Sequence, residues 1–366
     1  MRTIGLITEY NPLHNGHKLQ IDLARSKFHA DCVIVAMSGN FTQRGDPAVL
    51  DKTIRAQMAI ECGADAVIEI PCCFATSSLD NFAMGAVALL NSIPQVDNIL
   101  FGSESGDIEI IQKIANVMQD REKFKILRRG MSTGLSNDDL AQLQLDEQLT
   151  CDEIKKISDV IVQPNNILGI LYTYNLIKQK SKIVPLTHQR VGQEYLDESE
   201  SMGVFVSASS IRKSIEEKGL SDYVFRGVPG EVHKYYTASQ KYAFFSQLLS
   251  LRFEHTMKNE NCLQVYEFSD EHISIDEDGN IELDCACTSK MKRSVLHWFL
   301  DITNDEMLLI CSDLKCVYLN ILACNNREMK NCLLNLGEIS TDVKGVCLQR
   351  DINERAERLY SVLRET

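Results

Sequence analysis

The sequence predicts an α/β fold, a doubly wound parallel sheet followed by a smaller C-terminal α+β domain. The first observation is that short apolar runs rich in β-branched residues alternate with stretches of helical length, which is the pattern of a parallel sheet covered on both faces. The second is a composition of 44% hydrophobic and 24% charged residues, which is typical of a globular protein. The third is the length, because 366 residues correspond to roughly two domains.

Each strand is predicted from an apolar run that is too short for a helix, and each helix from the longer stretch that follows it. The predicted strands span residues 3–8, 32–37, 66–70 and 98–101. The predicted helices span residues 16–28, 51–62, 78–91 and 107–120. In a sheet of this kind, ligands bind at the carboxyl ends of the strands.

Beyond residue 138 the pattern continues and then changes. Helical patterns cover 138–162 and 166–178, a strand is expected at 182–186, a polar loop at 187–202 and a helix at 207–218. A turn-rich stretch at 226–230 ends the alternation of strands and helices. It is followed by long amphipathic segments at 234–253, an acidic stretch at 267–284 and a cysteine-bearing tail. We therefore expect two domains, residues 1–220 and residues 221–366.

The net charge and the cysteine content limit the class of partner and the cellular compartment that the sequence predicts. A formal net charge of -13 disfavours indiscriminate binding to phosphate backbones or anionic lipid, so an RNA partner would need a local basic patch. The N-terminal residues do not have the pattern of a secretory signal, and no apolar run is long enough to span a membrane. Thirteen scattered cysteines do not suit a secreted disulfide framework. We expect reduced thiols, no structural metal, no membrane partner and a cytoplasmic location.

The segment from Thr8 to His17 follows the first strand and opens the first helix. A helix N-terminus presents unpaired N–H groups and partial positive charge, so phosphate binds there readily. His14 and His17 are three residues apart and can face one phosphate, and Gly16 permits close approach of the backbone. This arrangement suits nucleotidyl transfer, in which catalysis consists of positioning and electrostatic stabilisation. For an isolated string, a metal pair or ordinary polar residues would be the alternative.

Two further segments have polar side chains suited to anions. Ser207, Ser209 and Ser210 open a predicted helix and are followed by Arg212, whose guanidinium can bind phosphate oxygens in a bidentate fork; the alternative is a plain N-cap. The loop after the second strand carries Ser38 and Arg44, which are candidates to hold a small carboxylate, and the alternative there is a structural turn.

These blocks resemble a known family. His14-Asn15-Gly16-His17 and the segment 206–213 are similar to the two signatures of the HxGH nucleotidyltransferase superfamily. Together with the blocks at 37–48, 101–104 and 164–169, they resemble the tRNA(Met) cytidine acetate ligase family over about residues 1–215. The resemblance implies a Rossmann-like nucleotidyltransferase domain and a C-terminal domain that helps to hold tRNA.

The resemblance also implies an activity and its cofactors. Acetate and ATP, with Mg²⁺ held chiefly by the triphosphate, would give acetyl-adenylate, and the acetyl group would pass to N4 of the wobble cytidine of elongator tRNA(Met). Carried over by position, with the signature residues Ser207, Ser209, Ser210 and Arg212, the ATP site would comprise Ile7, Thr8, Glu9, Tyr10, Asn11, Pro12, Leu13, His14, Asn15, Gly16, His17, Lys18, Leu19, Gln20, Gly102, Asn165 and Arg190.

Alternatives stay open at this stage. Another HxGH adenylyltransferase that acts on a small phosphorylated metabolite would have the same arrangement of His14 with His17 and of Ser207 with Arg212. A non-catalytic ATP-dependent RNA-binding protein is the second alternative. Lys52 and Arg55 are candidates for phosphate or tRNA contact, and basic clusters for RNA lie at 121–129, 178–182 and 290–293, although a solvated face is the favoured alternative for each. The string at 289–292 resembles the lysine loop of class I aminoacyl-tRNA synthetases, but it lies outside the predicted catalytic domain and is discounted.

Overall fold

The computed structural model of the chain describes residues 1–144, 149–190, 205–237, 242–244, 246–247, 273–275, 281–283, 288–312, 314, 317–325, 327–339 and 344–365. Its centre is a six-stranded sheet. The strands are β1 (Thr3–Thr8), β2 (Cys32–Ser38), β3 (Ala66–Ile70), β4 (Asn98–Ser103), β5 (Val184–Gln189) and β8 (Asn320–Cys324), while β6 (Ile273–Ile275) and β7 (Ile281–Leu283) form a separate antiparallel pair.

The sheet has the order β5-β4-β1-β2-β3-β8, and its first five strands are parallel. Because β2 lies on one side of β1 and β4 on the other, the chain reverses its winding direction between β1 and β4. A crevice opens at such a point at the carboxyl ends of the strands. The predicted doubly wound sheet is therefore confirmed.

Helices cover both faces of the sheet. They are α1 (Asn15–Ser26), α2 (Lys52–Glu61), α3 (Cys72–Ala75), α4 (Leu79–Asn91), α5 (Ile108–Val117), α6 (Arg121–Thr133), α7 (Asn137–Gln144), α8 (Cys151–Val160), α9 (Pro164–Lys178), α10 (Ala208–Lys218), α11 (Asp222–Gly227), α12 (Ser289–Leu300), α13 (Asn304–Ser312), α14 (Arg327–Ile339) and α15 (Lys344–Glu365), with a 3₁₀ helix at Gly230–Tyr235.

Alternate residues of the central strands feed two hydrophobic cores. In β2, Ile34 and Ala36 pack into the core beneath α4, α5 and α9, whereas Val33 and Val35 pack into the core beneath α1, α2 and α10. All of β2 is buried, which explains why its sequence is a continuous apolar run without polar alternation. The two cores fix the sheet and hold its carboxyl edge in place.

Several element boundaries differ from the predictions. The helical pattern at 138–162 contains two helices, α7 and α8, and residues 145–148 between them lie outside the described residues. Helix α6, which the prediction treated only as a basic cluster, begins at the cap Asp120, whose side chain accepts the N–H groups of Glu122 and Lys123. Strand β5 runs to Gln189, beyond the predicted end at residue 186, because it pairs with β4 over its full length.

The C-terminal part adds the sixth strand to the same sheet. Strand β8 pairs antiparallel with β3, and α15 contacts the first part of the chain through hydrogen bonds. Tyr360 donates to the carbonyl oxygen of Ala48 at 2.7 Å, and the N–H of Cys72 donates to the Asn353 side chain at 2.7 Å. The division at residue 220 stays a prediction. Most of the segments predicted at 234–253 and 267–284 lie outside the described residues, and within the described part no helix is long and apolar enough to cross a membrane.

Candidate active site

A cleft of about 840 Å³ opens at the carboxyl ends of β1 and β4. Thr8 and Glu9, at the end of β1, line one side, and Phe101 and Gly102 of β4 line the other. The cleft thus lies where the winding direction reverses. Its volume falls within the range of about 300–1,000 Å³ that is common for small-molecule sites.

His14 and His17 form the N-terminal cap of α1, and His17 lines the cleft. The His14 Nδ1 accepts the N–H of Gly16 at 3.1 Å, and the His17 Nδ1 accepts the N–H of His14 at 3.3 Å. The two rings stack with their centroids 3.7 Å apart. His14 itself is buried and faces a small adjoining cavity with His188 and Arg190.

This geometry fixes the protonation of both rings. Burial lowers the pKa of His14 to about 4, with a further contribution from Arg190. Burial, His14 and Arg190 lower the pKa of His17 well below its ordinary value. Both imidazoles are therefore neutral near pH 7, and because each Nδ1 accepts a backbone N–H, the proton is on Nε2. Each ring can donate one hydrogen bond from Nε2. In a hydrogen bond to phosphate the imidazole donor would be neutral, and only the phosphate acceptor would carry a charge.

The carried-over residues Gly102, Asn165 and Arg190 are brought together on the opposite wall. Arg190 Nη1 donates to the Asn165 side-chain oxygen at 2.9 Å, and the Asn165 Nδ2 donates to Glu104 at 2.7 Å. Glu104 also accepts the backbone N–H groups of Asn165 and Asn166, so it caps α9. A Cβ on Gly102 would lie 3.0 Å from the Arg190 side chain, which explains why glycine suits this position.

The segment from Ile7 to Gln20 divides between the cleft and its surroundings. Ile7, Thr8, Glu9, Tyr10, Asn11, His17 and Gln20 line the cleft. Pro12 and Leu13 are buried, whereas Asn15, Lys18 and Leu19 face a separate pocket of about 410 Å³. Of the segment predicted to bind nucleotide, these seven residues are the ones in direct reach of a ligand in the large cleft.

Arg212 reaches the cleft from α10, and the serines of the same segment do not line it. Arg212 donates to the carbonyl oxygen of Asn11 at 2.6 Å and lines the cleft with Ala208. Ser207 caps α10, and the hydroxyl groups of Ser209 and Ser210 bond to that of Ser207. Among the described residues, these three hydroxyls bond within their own turn, so the serines act first as a cap.

The loop after β2 places Arg44 and Ser38 differently. Arg44 is exposed and lines the cleft, whereas Ser38 is fully buried and does not line it. Of the two candidates for a small carboxylate, only Arg44 is therefore accessible. The backbone N–H of Gln43 donates to Glu9 at 2.8 Å, which joins this loop to the end of β1.

Lys52 and Arg55 are buried, so their interpretation as phosphate or tRNA contacts was wrong. Lys52 lies 2.8 Å from Glu69. Arg55 is fully buried and donates to the carbonyl oxygens of Leu50, Glu9 and Ser38. A guanidinium has five N–H donors and can hold several carbonyls at once, and Arg55 uses them to fix the loop beside the cleft.

Sequence reasoning placed Arg128 and Arg293 in basic clusters for RNA and did not predict that both line the cleft. Ser289 and Arg293 of α12 line it, although the string at 289–292 was discounted because it lies outside the predicted catalytic domain. A Cβ on Gly45 would lie 2.5 Å from the backbone N of Arg293, and Lys292 pairs with Asp46. The position of α12 beside the cleft depends on the packing of β8 and α15. No local sequence pattern predicts that packing. Arg128 also lines the cleft and is paired with Asp80 at 2.8 Å.

Other candidates from the sequence contribute little to the cleft. In the basic cluster at 121–129, Lys125 pairs with Glu122 and Arg129 pairs with Asp139. Cys32, Cys62, Cys72 and Cys73 are buried free thiols, and Cys285 and Cys287 lie outside the described residues. Within the described part of the chain, no group of three or more metal-ligating side chains comes together.

Comparisons with known proteins match this fold and its first signature. A family model described as HIGH Nucleotidyl Transferase matches residues 1–275. The tRNA(Met) cytidine acetate ligase of Caldanaerobacter subterraneus is 45% identical over 222 residues, which is 60% of this chain and 54% of that protein. The chain thus spans about half the length of this relative. The tRNA(Met) cytidine acetate ligase of Clostridium perfringens strain ATCC 13124 is 34% identical over 99% of this chain and 96% of its own.

Two solved structures are also similar. Thermotoga maritima TmcAL without ligand superposes with a TM-score of 0.78 at 26% sequence identity, covering 100% of this chain and 96% of that one. The same protein bound with alpha-thio ATP superposes with a TM-score of 0.76 at 24% identity, covering 100% and 95%. At 24% identity, the similarity to the structure with alpha-thio ATP shows a shared fold and nothing further.

Proposed function

This chain belongs to the tRNA(Met) cytidine acetate ligase family of HIGH nucleotidyltransferases, and we propose that it activates acetate with ATP and acetylates N4 of the wobble cytidine of elongator tRNA(Met). The observation that carries the proposal is the position of His17. Its ring lines a cleft at the carboxyl edge of the sheet, on the first turn of the helix that follows β1.

In the first step, an acetate oxygen attacks the α-phosphorus of ATP, the P–O bond to the β-phosphate breaks, and pyrophosphate leaves. The Nε2 proton of His17 would donate to an oxygen on which charge increases, and the positive end of the α1 dipole would stabilise that charge. His14, which stacks on His17 and faces the adjoining cavity, would hold the His17 ring in place. Arg190 and Arg212, from opposite sides, would hold the leaving pyrophosphate. Mg²⁺ would arrive with ATP, held by triphosphate oxygens and water, and supply further charge neutralisation.

Acetate would bind beside the loop that follows β2. Arg44 is the accessible cation there, and its guanidinium can form two parallel hydrogen bonds to a carboxylate. Its neighbour Gln43 is held to Glu9 through the backbone, which fixes the loop relative to the end of β1. A small carboxylate at Arg44 would therefore lie in the same cleft as His17.

In the second step, the N4 amine of cytidine attacks the acetyl carbonyl and AMP leaves. The lone pair of N4 is delocalised into the ring, so activation of acetate as an adenylate compensates for a weak nucleophile. A wobble base is in a single-stranded loop and can enter a pocket without the opening of a duplex. Apolar walls formed by Phe82, Phe101 and Met131 would limit hydrolysis of the mixed anhydride.

The direct test incubates the chain with labelled acetate, ATP, Mg²⁺ and bulk bacterial tRNA, followed by nuclease digestion and mass spectrometry. We expect the label on one nucleoside, N4-acetylcytidine, in the anticodon of elongator tRNA(Met). Pyrophosphate exchange that requires a phosphorylated mononucleotide instead of acetate, or tRNA binding without incorporation of label, would overturn the proposal in favour of one of the two alternatives stated above.

A further inference from the structure

Glu9 is a half-buried carboxylate at the end of β1 that lines the cleft. Among the described residues of the lining it is the only Asp or Glu, and five arginines line the same cleft: Arg44, Arg128, Arg190, Arg212 and Arg293. One oxygen of Glu9 accepts the backbone N–H of Gln43 at 2.8 Å. This hydrogen bond holds the carboxylate in place beside the loop that carries Arg44.

The second oxygen of Glu9 has no hydrogen bond or ion pair to any residue in the described part of the chain. Carboxylates that are withdrawn from water are usually paired, so an unpaired one that faces a cleft is unusual. Burial raises the pKa of Glu9, whereas the Gln43 N–H and the charges of Arg212, Arg44 and Arg55 lower it. Glu9 in turn contributes to the raised pKa of Tyr172, which also lines the cleft.

The other groups on the cleft wall are poor proton acceptors. The Nδ1 of His17 already accepts a backbone N–H, and its Nε2 carries the proton. The Glu104 carboxylate lies behind Asn165 and accepts three N–H groups from α9. Burial raises the pKa of both Tyr10 and Tyr172, so neither phenol is deprotonated near neutral pH.

The second step of the proposed function, on which this inference rests, releases one proton. The C–N bond forms between N4 and the acetyl carbon, the C–O bond to the AMP phosphate breaks, and N4 must lose one of its two hydrogens. We propose that the free oxygen of Glu9 accepts this proton, so that Glu9 is the general base of acetyl transfer. The products are then N4-acetylcytidine, AMP and a protonated Glu9 that returns its proton to water.

The variant Glu9→Gln separates this role from a structural one. Glutamine keeps the size of the side chain and an oxygen that accepts the Gln43 N–H, but it cannot take up a proton. Glu109→Gln is the matched control, because Glu109 is exposed on α5 and does not line the cleft. Each variant is first assayed for acetate-dependent exchange of pyrophosphate into ATP, which reports the first step alone.

The second step is measured in a single turnover, by adding tRNA to enzyme that has been loaded with ATP, labelled acetate and pyrophosphatase. We expect E9Q to retain exchange within about five-fold and to transfer acetyl about 10²–10⁴-fold more slowly, as for the loss of a general base. The transfer rate of the unmodified chain should rise with pH as Glu9 deprotonates and then level off, and E9Q should lose this dependence.

Each other outcome overturns the inference. Transfer by E9Q at the rate of E109Q would leave Glu9 with the structural role of holding Gln43. Equal losses of exchange and transfer would place Glu9 in the activation of acetate or in binding the metal–ATP complex. Absence of acetate-dependent exchange in the unmodified chain would instead contradict the proposed function, and this result is distinguishable because it does not involve a variant.

Discussion

The proton positions at the start of α1 decide what the two histidines can do. A backbone N–H donates to the Nδ1 of each ring, so each neutral ring has one fixed donor, Nε2, at a helix N-terminus that already attracts anions. The residue pattern alone predicted the pair and its placement. It did not predict that the rings stack and are neutral, because these properties depend on burial behind Tyr10 and on the nearby Arg190.

We expect the buried His14 to make the protein sensitive to mild acid. In the folded chain its pKa is about 4, below the ordinary value of about 6.5 that it has when unfolded. Between these values the unfolded chain binds more protons, so stability is fully present above pH 6.5 and falls as the pH is lowered towards 4, by roughly 3 kcal/mol in all.

His14→Asn tests this expectation, because asparagine also caps helices well. Urea unfolding at pH 7 and pH 5 should give a smaller loss of stability for H14N than for the unmodified chain. His29→Asn, at an exposed histidine, is the control and should follow the unmodified chain. The same pH dependence in H14N and in the unmodified chain would contradict the protonation state assigned to His14.

At the scale of elements, the strands and helices of the parallel sheet were predicted because their signals are local. Apolar runs of the kind that are buried on both faces predicted β1 to β4. The glycine-containing turn after β1 predicted the position of the site. Strand β8 and the approach of α12 to the cleft were not predicted, because each depends on contacts between residues that are more than 200 apart in sequence. The same reason explains Lys52 and Arg55, whose burial depends on tertiary partners.

The contact between α12 and the loop after β2 gives a prediction at this scale. Gly45 has a φ of +83°, and a Cβ there would lie 2.5 Å from the backbone of Arg293. Gly45→Ala should therefore combine backbone strain with a steric clash against the backbone of α12, which cannot move aside as a flexible side chain can. We expect its free energy of unfolding to fall by about 2 kcal/mol or more, from strain of about 1 kcal/mol and the added overlap.

Gly134→Ala provides the matched control. Gly134 has a similar φ of +77°, but nothing lies within 4 Å of a Cβ built there, so the substitution adds strain without a clash. Denaturant titrations of both variants should rank G45A as clearly the less stable. Equal losses of stability would mean that α12 does not contact this loop in solution.

At the scale of the whole molecule, a chain with a net charge of -13 places five arginines from its described residues around one cleft. The acidic remainder disfavours non-specific binding of nucleic acid, and under the proposed function the cleft is the part that would attract a triphosphate and an RNA. The C-terminal part contributes Ser289 and Arg293 to this cleft and a strand to the sheet. We therefore expect the two parts of the chain to unfold together.

Trp298 makes this expectation measurable, because it is the only tryptophan and lies buried in α12. Its fluorescence reports the C-terminal part, whereas far-UV circular dichroism reports the whole chain. The two signals should give the same thermal midpoint, and ATP should raise both equally. Separate midpoints, or an ATP effect confined to one signal, would indicate two independent units.

The most direct test of the central claim, that the cleft beside His17 activates acetate with ATP, is the exchange of labelled pyrophosphate into ATP. We predict exchange that requires acetate, and a loss of about 10²–10³-fold in His17→Ala, as for the removal of one donor to a developing charge. Exchange that is independent of acetate, or that continues unchanged in H17A, would contradict the account.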